Sequence, residues 1–223
     1  MYIFNMNNLL FAFKINVTAL NKLALNEIKN LISNKSFNNQ FGSYHDGGWK
    51  AIGLITSGGD ENEDREIPGV EFKKTNLLNS MPNLNKFIDE LNMKKKRVRI
   101  MKLEKKKKIF YHFDRTDSYD YDSLRLHIPI ITNEKVFIQI CNKKFHWKEN
   151  EIWYGDFSFP HKVENNGNED RYHLIIDCFK NEFTDKLIPQ MYTKQIKKRK
   201  IYRFIHQSLY KVCSKLKINY PIA

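Results

Sequence analysis

The second half of the chain is a series of short, β-favouring segments separated by turn residues. From residue 97 onward the segments read RVRIMKLE, KIFYHFD, LRLHIPIIT, VFIQIC, KKFHW, EIWYGDFSF, KVEN and RYHLIIDCF. Polar clusters such as TNEK, CNKK and ENNGNED lie between them. Seven or eight short strands at this spacing predict a mainly β fold, a double-sheet barrel of the jelly-roll or cupin type.

The residues before this series predict further strands and two flanking α-helices. Residues 2–17 contain the strand-like segments YIFNM and LLFAFKINV, and residues 18–34 have helical spacing. A strand, WKAIGLIT, follows between two Gly-Gly pairs, and the acidic residues 60–66 then predict a loop. The segment NLNKFIDELNM at 83–93 predicts a short helix.

The basic C-terminal part of the chain becomes periodic from about residue 190, and its apolar spacing predicts an amphipathic helix. Such a helix could lie on an anionic membrane or on another subunit, but we favour packing against the barrel of the same chain. We predict a single domain over residues 1–223. Within it, residues 45–180 form the barrel core and residues 181–223 form a basic helical extension.

The net charge of +13 raises the possibility of nucleic-acid binding. Much of this charge lies in three runs, KKKRVR, KKKK and KQIKKRK, and such runs are usually solvated. No helix-turn-helix, zinc-finger or aromatic RNA-binding signature accompanies them. We therefore expect no specific nucleic-acid partner, and a basic nucleic-acid-binding protein remains the less favoured alternative.

The three cysteines are widely spaced and form no CxxC motif, which favours a reducing cytoplasm. The N-terminal residues lack the basic region and the small-residue cleavage site of a secretory signal, and no segment is long enough to span a membrane. We therefore expect a cytoplasmic protein. The sequence does not predict the oligomeric state.

The segment HFD is the first candidate for a metal site. Residues i and i+2 of a strand point to the same face, so His112 and Asp114 would face one point. A second histidine there would complete a set of two histidines and one carboxylate, which suits non-haem Fe(II) and leaves positions open for substrate chemistry. Asp114 could instead be a turn residue within DRTDSYDYD, and Asp156 is a rival carboxylate.

His161 is the best candidate for the second histidine. If residues 165–169 form a hairpin loop, His161 would lie opposite His173 and Val163 opposite Arg171, all on one face. A buried arginine beside a metal needs an anion. A dicarboxylate co-substrate would supply one, with its far carboxylate bound by the guanidinium.

Four segments, HFD, RLHIPIITN, EIWYGDFSFPH and DRYHLIIDC, resemble the aspartyl/asparaginyl β-hydroxylase family, which includes free-proline hydroxylases. The resemblance covers roughly residues 45 to 180, and its most specific part is a histidine with an arginine ten positions later, His161 and Arg171. It implies a double-stranded β-helix fold and an oxygenase that uses Fe(II), 2-oxoglutarate and O₂. Oxidative decarboxylation of 2-oxoglutarate to succinate would accompany hydroxylation of an amino acid, free or within a peptide or protein.

The resemblance also implies residue roles. The iron ligands would be His112, Asp114 and His161, and Arg171 would bind the distal carboxylate of 2-oxoglutarate. Arg125 and His127 match family positions near the co-substrate, although the longer loop before Arg125 leaves its exact role open. The peptide-modifying animal branch has glycine at the position of Asp114, so the retained carboxylate favours kinship with the bacterial amino-acid hydroxylases.

Several residues have two interpretations. Trp49, Trp153 and His173 are candidates for the substrate pocket, but aromatic residues on strands are often core residues. His127 and His173 could likewise be hydrogen-bonded core histidines, and we expect His146 and His206 at the surface. The main alternative function is a catalytically silent, cupin-like binding protein.

Overall fold

The computed structural model describes residues 9–40, 42–63, 65–115 and 117–220. Over these residues the chain forms two antiparallel sheets with flanking helices, a jelly-roll arrangement as predicted. The strands are β1 (Ala12–Lys14), β2 (Asn38–Asn39), β3 (Trp49–Ser57), β4 (Phe72–Lys74), β5 (Lys95–Leu103), β6 (Lys108–His112), β7 (Ser123–Ile131), β8 (Val136–Ile140), β9 (Lys143–Phe145), β10 (Trp153–Gly155), β11 (His161–Asn165) and β12 (Arg171–Phe179). The α-helices are α1 (Lys22–Asn34), α2 (Asn76–Asn79), α3 (Pro82–Glu90), α4 (Glu182–Leu187), α5 (Gln190–Lys194) and α6 (Ile196–Leu216).

The larger sheet has the strand order β1-β10-β7-β12-β5-β3-β2, with β4 paired to β3. The smaller sheet has the order β6-β11-β8-β9. Strands β5, β7 and β12 form the centre of the larger sheet, and nearly all residues of β12 are buried. Because β1 pairs with β10, the sheet also includes residues before the predicted start of the barrel at residue 45.

Alternation along the three central strands separates apolar from ionisable side chains. On β12, Leu174 and Ile176 belong to a large apolar core that includes residues of α1 and α3. Arg171 and Ile175 of the same strand point to the opposite face of the sheet, where they line a cavity. The same alternation on β5 and β7 brings further arginines and His127 to the cavity. These strands therefore carry ionisable groups because one face packs on helices and the other faces a polar cavity.

The predicted hairpin between β11 and β12 is wrong. Strand β11 pairs with β6 and β8 in the smaller sheet, whereas β12 pairs with β5 and β7 in the larger one. His161 therefore lies opposite His112 and Ile140 and not opposite His173. The turn between β11 and β12 passes from one sheet to the other, a geometry that the Asn- and Gly-rich sequence does not distinguish from a hairpin.

The helices agree broadly with the sequence. Helix α1 begins after Asn21, whose side chain accepts a hydrogen bond from the backbone N–H of Ala24, and α3 begins at Pro82 within one residue of the predicted position. The predicted strand YIFNM lies outside the described residues. No helix within the described residues combines the length and the apolar character that crossing a bilayer requires.

Helix α6 packs against the barrel through a face that includes two buried arginines. Arg199 lies in the run KQIKKRK, predicted to be solvated, but its side chain is fully buried because it pairs with Asp120. Arg203, one turn later, contacts the same carboxylate. The prediction that His206 is a surface residue is wrong, because it is buried and its Nδ1 contacts the hydroxyl of Tyr220 at 2.8 Å.

Candidate active site

The structure brings His112, Asp114 and His161 together. One donor atom from each of the three side chains lies within 4.8 Å of the others. His112 ends β6, and His161 begins the neighbouring strand β11 directly opposite, with a ring-centroid separation of 4.2 Å. Asp114 lies two residues beyond His112, just after the strand, where its backbone N–H donates to the carbonyl of Phe157 at 2.9 Å.

Backbone contacts orient both imidazoles in the same way. Nδ1 of His112 lies 2.8 Å from the carbonyl oxygen of Phe110, and Nδ1 of His161 lies 3.0 Å from that of Phe159. A carbonyl oxygen only accepts, so each Nδ1 carries the hydrogen. The Nε2 atoms then keep their lone pairs, which is the form that binds a metal.

Electrostatics favour the metal-binding protonation state of all three groups. Burial lowers the pKa of His161 to about 3 and also lowers the pKa of His112, so both rings are neutral at pH 7. Burial by itself would raise the pKa of Asp114, but the Arg125 guanidinium together with His161 and His112 outweighs burial, and the net pKa is lowered. The cluster therefore offers two neutral imidazoles and one carboxylate, a donor set that fits Fe(II).

The cluster faces a cavity of about 260 Å³ that lies between the two sheets. Its walls come mainly from β5, β7 and β12 on one side and from β6 and β11 on the other. Five arginines line it, namely Arg65, Arg97, Arg99, Arg125 and Arg171. The volume suits a small organic molecule beside a metal ion rather than a large ligand.

Arg171 is buried at the start of β12 and has no acidic partner among the described residues. Its Nη2 lies 2.7 Å from Nδ1 of His173, and its Nε has no hydrogen-bond partner within the same part of the chain. Burial lowers the pKa of Arg171 to about 9, which leaves the guanidinium charged at neutral pH. A buried cation without a counter-charge is a receptor for an anion.

Arg125 is in a different position from Arg171, because three protein carboxylates already contact it. Its Nε and Nη2 reach Asp177 at 2.7 and 3.2 Å, its Nη2 reaches Asp117 at 2.6 Å, and its Nη1 reaches Asp114 at 2.5 Å. The guanidinium therefore holds the Asp114 carboxylate in place. Its predicted contact with the co-substrate stays a prediction.

His127 and His173 form a buried pair beside Arg171, with their Nδ1 atoms 3.4 Å apart. Burial, reinforced by the Arg171 charge, lowers the pKa of both rings well below the usual value, so both are neutral. His127 lines the cavity, whereas His173 does not and instead contacts the guanidinium of Arg171. Only His127 of this pair therefore faces the cavity, although both histidines lie on apolar strands.

The two predicted substrate-pocket tryptophans lie in different places. Trp49 lines the cavity together with Tyr44, and their ring centroids are 5.6 Å apart. Trp153 is not part of the cavity wall, because its ring stacks on that of Trp147 and its Nε1 donates to Glu151 at 3.0 Å.

Sequence reasoning missed several residues of this site. Tyr44 stacks on the ring of His112 with a centroid separation of 4.5 Å, and Phe157 packs against the ring of His161. Arg97 and Arg99 also line the cavity. Their alternation within KKKRVRI is a period-2 signal that places both on one strand face, and it could have identified them.

A comparison with the sequence models of protein families agrees with this arrangement. The sequence model of the family described as Aspartyl/Asparaginyl beta-hydroxylase matches residues 20–181. Solved structures show remote likeness. A 2OG-Fe(II) oxygenase family protein from Burkholderia pseudomallei is 12% identical and has a TM-score of 0.49, covering 70% of this chain and 79% of its own.

Two further structures have similar scores. A prolyl hydroxylase from Trichoplax adhaerens, in complex with a hypoxia inducible factor oxygen degradation domain peptide fragment, is 13% identical with a TM-score of 0.49, covering 83% of this chain and 89% of its own. HygX from Streptomyces hygroscopicus, with nickel and 2-oxoglutarate bound, is 5% identical with a TM-score of 0.46, covering 77% and 84%. These likenesses are too remote to support an argument about function.

The match to the family model, in contrast, is a match of sequence and is extensive. It spans residues 20–181, which is most of the chain, and it includes the three clustered side chains and Arg171. The chain therefore belongs to the aspartyl/asparaginyl β-hydroxylase family of Fe(II)- and 2-oxoglutarate-dependent oxygenases.

Proposed function

We propose that this protein hydroxylates an amino acid, free or within a peptide, with His112, Asp114 and His161 holding Fe(II). The observation that carries the proposal is the meeting of their donor atoms within 4.8 Å at the wall of a cavity that also contains Arg171, whose guanidinium has no acidic partner in the part of the chain that the structure describes. Iron bound there would supply the redox chemistry that couples O₂ and 2-oxoglutarate to hydroxylation.

The protein's own groups prepare this site before any ligand enters. The Phe110 and Phe159 carbonyls fix the imidazole tautomers of His112 and His161, so that no proton has to leave either ring when a metal binds. Arg125 keeps the Asp114 carboxylate ionised and in place. Preorganisation of this kind raises metal affinity, because little rearrangement is needed on binding.

Arg171 is the proposed receptor for the distal carboxylate of 2-oxoglutarate. Its burial and its missing counter-charge mean that a carboxylate would restore the balance of charge and provide partners for its unused N–H groups. His173 is neutral, so its contact with Arg171 does not neutralise the guanidinium charge. His127, on the neighbouring strand β7, lines the same cavity and could contact the co-substrate through its unpartnered Nε2.

The substrate would enter the part of the cavity bounded by Tyr44 and Trp49. These rings, with Met101 and Ile175, form the apolar part of the cavity wall, next to the arginines of β5. A small molecule with one apolar and one charged part, such as an amino acid, matches this division. The wall would also limit the access of water to the metal.

The test is a turnover assay on the purified, anaerobically iron-loaded protein. Amino acids and short peptides would be screened with 2-oxoglutarate and O₂, and each would be read by mass spectrometry for a gain of one oxygen and for matching succinate. His161→Ala is the control and should form neither product. Metal and 2-oxoglutarate binding without succinate formation would favour the silent cupin-like alternative, and turnover by His161→Ala would contradict the proposed ligand set.

A further inference from the structure

Three successive backbone carbonyls hold the candidate metal ligands and the C-terminal helix. The carbonyl of Phe157 accepts the backbone N–H of Asp114 at 2.9 Å, and the carbonyl of Phe159 accepts Nδ1–H of His161 at 3.0 Å. The carbonyl between them, that of Ser158, accepts Nε2–H of Gln207 at 2.7 Å. The Ser158 carbonyl belongs to the peptide group that lies between the other two, so a rotation of that group would be passed on to the neighbouring carbonyls that hold Asp114 and His161.

Gln207 lies on α6, and this helix also holds the start of the same segment. The carboxylate of Asp156 is completely buried and accepts hydrogen bonds from the hydroxyls of Ser158 and Tyr192. Arg203 of α6 reaches the same carboxylate at 3.4 Å. Helix α6 thus contacts Asp156 and Ser158, while the carbonyls of Phe157 and Phe159 hold Asp114 and His161.

A second contact joins α6 to the segment that carries Asp114. Asp120 lies six positions after Asp114, and its two carboxylate oxygens accept hydrogen bonds from Arg199 at 2.6 Å and from Arg203 at 2.7 Å. All three of these side chains are almost fully buried. A buried ion pair of this kind resists separation, because parting it leaves an unpaired charge in the interior.

Helix α6, which makes these contacts, lies entirely beyond the residues that match the family. We propose that α6 is a positioning element of the metal centre and that Gln207 is its positioning residue. Through the Ser158 carbonyl, Gln207 fixes the peptide group that lies between the two whose carbonyls hold Asp114 and His161. This inference rests on the proposed function, because it concerns the same ligands.

The test measures Co(II) binding to the full-length protein, by titration and by the visible spectrum of the bound ion. Gln207→Met keeps the length of the side chain but removes the donor. We expect it to weaken Co(II) affinity about tenfold, as loss of an outer-shell contact does, and to alter the Co(II) spectrum. Gln207→Lys restores a donor and should recover much of the affinity.

The matched control is Tyr220→Phe, which removes the hydroxyl that contacts His206 of the same helix but keeps the ring that packs on Tyr111. It should bind Co(II) with the wild-type affinity and spectrum. If Gln207→Met keeps the wild-type affinity and spectrum while wild type binds Co(II) and His161→Ala does not, this inference is overturned and the proposed function stands. If wild type itself binds no Co(II), both are overturned.

Discussion

His112 and His161 face each other across two neighbouring antiparallel strands, and the backbone holds both rings through the same contact. In each case Nδ1 lies within 3.0 Å of the carbonyl oxygen two residues earlier in the chain. The pairing places the two rings 4.2 Å apart without any contribution from the intervening loops. The register of β6 and β11 therefore positions both histidines. A metal bound by them would link these two strands of the smaller sheet.

Loss of one of these imidazoles should abolish high-affinity metal binding. We expect His112→Ala to lower Fe(II) and Co(II) affinity by at least about a hundredfold, because only one imidazole and one carboxylate remain. Isothermal titration under anaerobic conditions measures this. His146→Ala removes an exposed histidine and should bind the metal as wild type does. Equal affinity in the two variants would contradict the ligand assignment.

The Asp114 carboxylate should contribute to metal affinity through its charge as well as its oxygen. Asp114→Asn keeps the shape of the side chain but removes the charge that Arg125 stabilises. We expect metal affinity to fall about tenfold or more while both histidines still bind. Asp122→Asn is a suitable control, because Asp122 has a left-handed backbone conformation that asparagine also tolerates and it is not part of the cluster.

Replacement of Arg171 should separate co-substrate binding from metal binding. Arg171→Met removes the proposed carboxylate receptor, so the Kd for 2-oxoglutarate should rise at least about tenfold while Co(II) affinity is kept.

The same variant should also unfold at a higher urea concentration in the metal-free state. A buried charge without an acidic partner opposes folding, and its removal should add about 1 kcal/mol to the free energy of unfolding. The exposed Lys105→Met is the control for loss of one positive charge. A large loss of stability in Arg171→Met would show that the cation has a partner that stabilises the fold.

The metal-free protein should lose stability as the pH falls below about 6.5. Burial holds the folded-state pKa of His127 well below the ordinary histidine value, so in this range the unfolded chain binds more protons than the folded one. The free energy of unfolding then decreases with falling pH, by at most about 1.4 kcal/mol per pH unit for each such histidine.

His127→Phe removes one of these contributions and should lose less stability than wild type between pH 7 and pH 5. The new ring would meet Phe157 and Trp147, which already pack against His127. The measurement is urea denaturation in the presence of a chelator, with His146→Ala as the control. Identical pH dependence in His127→Phe and wild type would count against a neutral, buried His127.

The parts of this protein that the sequence predicts well are those fixed by local pattern. Period-2 alternation predicts the strands. His112 and Asp114 do meet at one point, although β6 ends at His112 and Asp114 lies just after it. The ten-residue separation of His161 and Arg171 is a local feature as well. It is visible in the sequence even though the two residues belong to different sheets.

What the sequence does not predict depends on long-range pairing. Arg199 looks like one cation in a lysine run, and its burial is explained by contacts with Asp120, 79 residues earlier, and with Asp156 and Tyr192. Asp156 likewise looks like a turn residue, because its partners Tyr192 and Arg203 lie far along the chain. His173 resembles a pocket residue by its spacing from Arg171, but its contact is with the guanidinium itself.

The passage of the chain from one sheet to the other after β11 joins the two walls of the cavity. Asn165, completely buried, secures this crossing, because its side-chain Nδ2 lies within 3.2 Å of the carbonyl oxygens of Leu103, Glu104 and Glu169, which share its two hydrogens. The candidate metal ligands and Arg171 therefore lie on opposite walls of the cavity. If a metal at the cluster and Arg171 hold the two ends of one diacid, the spacing of the sheets would favour diacids of one length over shorter and longer ones.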